Sequence, residues 1–427
     1  MGNDVRLGEL ANIESGYAFK SSDWTTEGNP VVKIKNVKDG HVTLEDCAYV
    51  SDEIAAKASK FLARGGDILL SLTGYVGQVG RVDIGDAVLV NQRVGFVRPT
   101  DSDDKSFIYH LLRNLRTEIA ELGTGTAQAN VAPRDIMDLR VPNFKPSLRR
   151  KIGEVLDCFD TKIGLNAKIS GTLENIAQTI FKSWFVDFDP VKAKMAGEKP
   201  VGMVDAVAAL FPDSMEDSEL GPVPSNWNTA PLTDLFDVLS GGTPKTTEES
   251  FWGGAIPWFS VVDAPESGGC FFIKTEKTIT ELGLNKSAAK IVRPGVTIIS
   301  ARGTVGKTAI VASPSTFNQS CYGLMGKYGD FYTYLLVKYM VTKLQNIAHG
   351  GMFDTITRDT FSALTVPKPM ELIIYAFEKL VEPMFMQIRN LQYQSEQLAT
   401  MRDALLPRLI SGELQIPEEM LVSEWLL

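Results

Sequence analysis

Two stretches of the chain carry apolar residues at alternating spacings of three and four. Leu156, Phe159, Ile163, Asn166, Ser170, Leu173, Ala177 and Ile180 form the first stripe. Val381, Met384, Ile388, Leu391, Ser395, Leu398, Arg402 and Leu405 repeat it at an offset of 225. This spacing is the heptad seam of a helix that lies along another helix. Most amphipathic helices pack on their own domain, but polar residues at matching seam positions favour an intramolecular antiparallel pair. At about 1.5 Å per residue, some 30 residues would make a rod about 45 Å long. Pro383 is expected to bend or restart the second helix, because proline removes one helical hydrogen bond.

Ahead of each helix the pattern changes to short apolar runs bounded by glycine, such as Asp67–Leu72 and Val296–Ser300, which read as strand, turn, strand. These runs also repeat. Residues 61–82 match 289–311, with Gly66, Gly74 and Gly77 over Gly295, Gly303 and Gly306 at an offset of 229. Further on, Asn91-Gln92 matches Asn318-Gln319, and Arg134-Asp135 and Val141-Pro142 match Arg358-Asp359 and Val366-Pro367. Internal repetition outranks any single element in setting the fold. The expected class is α/β (α+β): two repeated domains at 1–145 and 226–368, each followed by a long helix (146–185 and 369–412), with a connector at 186–225 and a tail at 413–427. The connector is rich in Pro, Gly and acidic residues and is expected to run over the surface.

A net charge of -9 weighs against a simple nucleic-acid-binding module. Its distribution changes that picture. Residues 226–368 carry 13 Lys+Arg against 11 Asp+Glu, and residues 149–185 carry 6 against 4. The excess lies in the connector, with 3 against 8, and in residues 369–427, with 4 against 9, whereas residues 1–145 carry 17 against 20. A local basic face is therefore allowed. Cys47, Cys158, Cys270 and Cys321 show neither zinc spacing nor a disulfide framework, and His41, His110 and His349 have no partner spacing, so no metal site is expected. With no signal-peptide core and no apolar run of about 18 residues, the expectation is a cytoplasmic protein without a membrane span.

Six segments, IAQTIFKSWFVDFDPVKAK (176–194), LFPDS (210–214), ELGPVPSNW (219–227), GGTPKT (241–246), RGTVGK (302–307) and ALLPRLISGEL (404–414), resemble the specificity subunits of Type I restriction-modification systems over nearly the full length. The resemblance implies two target-recognition domains held apart by two helices. It also implies that each domain reads one half of an interrupted DNA target, and that the frame docks methyltransferase subunits, two of them, and through them restriction subunits. It implies no catalysis and no cofactor of the chain's own, with S-adenosylmethionine, ATP and magnesium on partner subunits. Because SGYAFKSSDW (15–24) and SGGTPKTTEESFW (240–252) differ, the two half-sites should differ.

The candidate DNA contacts follow from loop chemistry. Tyr75, Gly77 and Gln78 in one hairpin, and Arg302, Gly303, Thr304 and Lys307 in the other, combine glycines that let backbone approach phosphate with polar or cationic tips; in the family these loops face DNA. A plain hairpin turn is the alternative. Gln92 and Gln319 can read adenine through paired donor and acceptor groups, although the Asn-Gln pairs could equally satisfy buried backbone. Lys20, Thr243 and Lys245 follow turns as a phosphate clamp would, and Arg134 and Arg358 recur at equal places. The partner and seam candidates are Leu156, Phe159, Ile163, Leu173, Ile180, Ile388, Leu391, Leu398 and Leu405.

Rival readings stay open. Residues 301–308 fit the loose pattern of a P-loop NTPase, but Ala301 replaces the first glycine and a strand-like segment follows. No methyltransferase motif is present, and no carboxylate constellation of a nuclease stands out. A scaffold without DNA contact, and the specificity subunit of a Type IIB-like restriction-methylation enzyme, remain alternatives.

Overall fold

The structure, a computed structural model, describes residues 4–83, 85–123, 129–265, 268–349 and 355–416. The tail assigned to 413–427 lies outside the described residues from 417 onward. The chain divides into two compact units: residues 1–162 with 398–427, and residues 163–397. Four of its helices organise them: α1 (Lys105–Asn114), α2 (Pro146–Phe185), α3 (Asp330–His349) and α4 (Glu371–Ile410). The two 40-residue helices are shared, with α2 divided at residue 162 and α4 at residue 397.

In the first unit, β1 (Ala11–Ser15), β2 (Gly40–His41), β3 (Ile68–Ser71), β4 (Val79–Arg81) and β5 (Val94–Pro99) form a sheet in the order β1-β5-β3-β4-β2. In the second, β6 (Phe236–Ser240), β7 (Phe271–Phe272), β8 (Thr297–Ser300), β9 (Thr308–Val311) and β10 (Cys321–Gly326) form one in the order β6-β10-β8-β9-β7. The order is the same, and so is the pairing. β5 and β10 run antiparallel to both neighbours, while the short edge strands β2 and β7 join parallel. β3 and β8 are buried at every position, which is why their sequences read as continuous apolar runs rather than alternation.

Each helix pair runs antiparallel within its unit. In the second unit Asn166 donates to Gln394 Oε1 at 2.9 Å and Ser395 Oγ at 3.2 Å, while fifteen residues later Phe181 lies 6.0 Å from Phe377 between ring centroids. One index rises as the other falls. In the first unit Leu156 and Phe159 share a core with Leu406 and Leu409, and Asp160 pairs with Arg402. Ile388 and Leu391 are buried; Ile163, Leu173, Ile180, Leu398 and Leu405 are half-buried. The core in the second unit centres on Phe377, Val381 and Phe385, each fully buried, while Met384 is only half-buried. Each such phenylalanine stabilises by roughly 1.5–3 kcal/mol. Pro383 does not end α4, which continues through it. The proline is exposed, so the carbonyl it leaves without a helical donor can bond water.

The connector departs from expectation. Instead of a surface strap, it folds into a short helix, Asp189–Met195, with Pro190 and Val191 buried, and delivers Met203, Ala208 and Phe211 to the core of the second unit. Trp184 meets Phe211 at 5.2 Å and Phe188 meets Trp227 at 5.6 Å. The acidic residues that suggested a linker lie toward the outside, and the few aromatics between carry the packing.

A carboxylate joins α3 to α4. Glu378 accepts the Tyr332 N–H at the start of α3, and a Cβ on Gly329 would come within 2.3 Å of its Oε1, so only glycine fits there. Burial pushes this carboxyl up to about 7, the neighbouring charges of Asp330 and Glu382 push the same way, and hydrogen bonds from the Tyr332 and Phe331 amides oppose them. The folded form therefore holds a proton that the unfolded chain releases near pH 4.5, so the native state loses stability as pH rises between those values. Glu378→Gln, which keeps the acceptor and removes the charge, is expected to abolish that loss. At pH 8 it should unfold at higher denaturant than the parent, by on the order of 3 kcal/mol at most; unchanged pH dependence in parallel urea titrations would refute this.

Candidate nucleic-acid interface

The hairpin joining β3 to β4 is tied by main-chain hydrogen bonds to two other segments of the first unit, one of which is tied in turn to a third. Leu72 N–H donates to the Arg93 carbonyl at 3.1 Å, Val131 N–H to the Leu72 carbonyl at 3.0 Å, and Gly74 N–H to the Ala129 carbonyl at 2.9 Å. Gln92 N–H reaches the Tyr17 carbonyl at 2.9 Å, and Thr73 Oγ1 donates to Asn130 Oδ1 at 2.7 Å. The second unit repeats the scheme. Ala301 N–H donates to the Ser320 carbonyl at 2.8 Å, Ile356 N–H to the Ala301 carbonyl at 3.0 Å, and Gly242 N–H to the Phe317 carbonyl at 2.9 Å, while Arg302 forms a β-bridge with Thr355.

Each platform thus gathers four segments far apart in sequence. The hairpins turn on left-handed glycines, Gly77 at φ +85° and Gly306 at φ +92°, with Ser71 and Ser300 accepting their N–H groups at 3.0 and 2.9 Å. Close approach fixes a second glycine pair. A Cβ on Gly16 would lie 2.2 Å from the Val90 carbonyl, and one on Gly241 would lie 2.1 Å from the Asn318 carbonyl.

Tyr75, Gln92, Arg302, Gly303, Thr304, Lys307, Gln319, Arg134 and Arg358 are all exposed on or beside these platforms. Arg358 also donates to Ser240 Oγ at 3.3 Å, and Lys290, which the sequence reading missed, joins it around a cavity of about 460 Å³ with Gly241 and Phe317. Gln78 is half-buried, and Gly77 is buried, where its Cβ would meet the Arg116 carbonyl at 2.8 Å; Gly77 shapes the turn and is not a surface group. Asn91 and Asn318 are also structural, since each Oδ1 accepts the N–H two residues on, at 3.2 and 3.0 Å. Their neighbours Gln92 and Gln319 are left exposed. Lys20 and Lys245 are exposed four residues beyond Gly16 and Gly241; Lys245 is spent on an exposed ion pair with Glu248 at 3.1 Å, and Thr243 is half-buried.

The P-loop reading fails on topology. After Lys307 the chain enters strand β9 instead of a helix, so no helix N-terminus is available to hold a nucleotide phosphate. No helix among the described residues is long and apolar enough to cross a membrane.

The family profile described as "Type I restriction modification DNA specificity domain" matches residues 3–175 and again residues 224–371. The chain belongs to this family. It is 29% identical over 352 residues to the Type I restriction enzyme HindI specificity subunit of Haemophilus influenzae, covering 71% of this chain and 76% of that one. It is 24% identical to the MjaIX specificity subunit of Methanocaldococcus jannaschii, covering 86% and 82%. The crystal structure of the S subunit from M. genitalium superposes with a TM-score of 0.54 at 15% identity, covering 97% of this chain and 96% of that one. A specificity domain repeated in one chain is what the duplicated sheets and platforms express.

Behind the first platform of this family member lies a buried charge network that no local motif announces. Asp157 accepts from Arg81 at 3.1 Å and from Ser106 at 2.5 Å, and His110 Nε2 stands 2.8 Å from it. Asp160 accepts from Arg113 at 3.3 Å and from Arg402. His110, Asp157 and Asp160 lie close enough to be considered as metal ligands, yet three guanidinium groups, of Arg81, Arg113 and Arg402, already pair with the two carboxylates. Burial lowers the pKa of His110 and keeps it neutral, with Nε2–H donating to Asp157. Burial pushes Asp157 up, but the His110 hydrogen bond and the Arg81 charge bring it below the ordinary value.

Proposed function

We propose that this specificity subunit reads a two-part, asymmetric DNA target, one half with each platform, and presents it to docked methyltransferase subunits, two per chain, and through them to restriction subunits. The observation that carries this reading is one backbone scheme built twice with different tips. Thr73, Tyr75 and Gln78 stand in the first hairpin where Arg302, Thr304 and Lys307 stand in the second. Phosphate contacts position a protein on DNA, and base-edge contacts supply sequence. Equal backbones with unequal side chains would give equal docking and unequal reading. In this scheme the chain is non-catalytic and needs no cofactor of its own: S-adenosylmethionine, ATP and magnesium would act on partner subunits, in the cytoplasm.

Long-read sequencing of a host expressing the subunit with its methyltransferase tests the proposal. Methylated bases in a motif of two different half-sites separated by unspecified bases are expected. A palindromic or uninterrupted motif would overturn it.

A further inference from the structure

The two hairpins share a backbone and differ in physical character. The second tip carries two exposed cations, Arg302 and Lys307. The first carries none, and holds instead the most exposed aromatic side chain among the described residues, Tyr75, at 71%. This ring is not on a loose loop. Gly74 at φ +75° and Gly77 at φ +85° bracket it, Gln78 N–H donates to its carbonyl at 3.3 Å, and Val76 beside it is buried as the root of the turn. The ring makes no aromatic contact within the described residues, although aromatic pairs are common elsewhere in the fold. The backbone beneath the ring is fixed and the ring face is open to water, so a face-on contact costs only the ordering of two side-chain torsions.

Exposed Gln92 and Arg93 flank the hairpin through the Leu72–Arg93 hydrogen bond, so the ring rises from the surface that carries the polar readers of the first unit. Tyr75 aligns with Thr304, which the second unit presents between its two cations. Resting on the DNA-reading role proposed above, we infer that Tyr75 is a specificity-determining stacking residue. Its ring lies against a base face or pries open a base step of the first half-site, and this half-site is selected in part by how readily that step deforms. The second half-site is read without a stacking group, through cations and base edges. Deformation at one half-site and charge at the other would make the two binding energies respond differently to salt.

The test uses the subunit assembled with its methyltransferase, and DNA duplexes in which each half-site is scrambled in turn or carries 2-aminopurine at successive steps. Tyr75→Ala should weaken binding of the intact target about tenfold, as loss of one stacked base does, with no change in the salt slope. Tyr75→Phe should bind within about twofold of the parent, since stacking needs the ring and not the hydroxyl. A fluorescence rise of 2-aminopurine at one step of the first half-site should vanish in Tyr75→Ala and persist in Tyr75→Phe. Parental binding by Tyr75→Ala, or loss of methyltransferase co-purification, would overturn the inference, the latter placing the ring at a protein interface. Failure of the parental complex to prefer the target over scrambled DNA would instead sink the DNA-reading role itself.

Discussion

Alanine at both Arg302 and Lys307 is expected to weaken binding of the second half-site by about 30-fold near 0.15 M salt, while leaving the first half-site within about twofold. Each phosphate contact contributes about 0.9 to the slope of log affinity against log salt, which near 0.15 M corresponds to roughly fivefold in affinity. Two contacts therefore account for about 25-fold, and any base-edge contact adds to it. The slope itself should fall by nearly 2. Both side chains are exposed at a hairpin whose backbone is held by Ser300, Ser320 and Ile356, so truncating them leaves the fold intact. Binding titrations across a salt series, on duplexes that scramble one half-site at a time, separate the outcomes. Equal loss at both half-sites, or an unchanged slope, would rule out phosphate contact by this tip.

The sequence made some of this legible and hid the rest for identifiable reasons. The repeat was readable because glycines at 66, 74 and 77 and at 295, 303 and 306 sit where the backbone has no alternative, each with positive φ. The helix pair was readable because a heptad stripe survives polar interruptions such as Asn166, which the structure buries against Ser395. The convergence of four segments on each platform was not readable. It rests on main-chain bonds such as Val131 to Leu72, which no side chain encodes. Composition misled at the connector, where Met203, Ala208 and Phe211 outweigh the surrounding acidic residues. The Asn-Gln pairs were open to both base reading and backbone capping; the turn consumes the Asn91 side chain and leaves Gln92 exposed. The charge network escaped notice because its partners stand 47 to 242 residues apart.

That network carries a large stability effect for a single substitution in the first unit. Asp160, 22% exposed at its side chain, is shared by Arg113, 8% exposed, and Arg402, 11% exposed. Asp160→Asn removes the charge and leaves two nearly buried guanidinium groups facing each other across a neutral amide. Breaking a buried pair from one side costs about 3–5 kcal/mol. The lower end applies, because Arg113 keeps Asp39 at 3.2 Å and Arg402 keeps Asp403 at 2.7 Å. With two units in the chain a single melting temperature is ill-defined, so the measurement is native-state hydrogen exchange of the α1 amides, which should lose about 3 kcal/mol of protection. Asp160→Leu combined with Arg402→Met should recover the part of that loss owed to Arg402, since an apolar pair carries no desolvation cost, while Arg113 keeps only Asp39. If the double variant restores protection, the charges add little net stability. Their role would then be specificity of pairing: Arg402 is a cation at an otherwise apolar seam position, and Asp160 offers it a partner in one register of the helix pair. A slipped register would bury that cation unpaired. If Asp160→Asn exchanges like the parent, Asp160 holds nothing together and the register must come from packing of Leu156, Phe159, Leu406 and Leu409 and from the Asn166 hydrogen bonds.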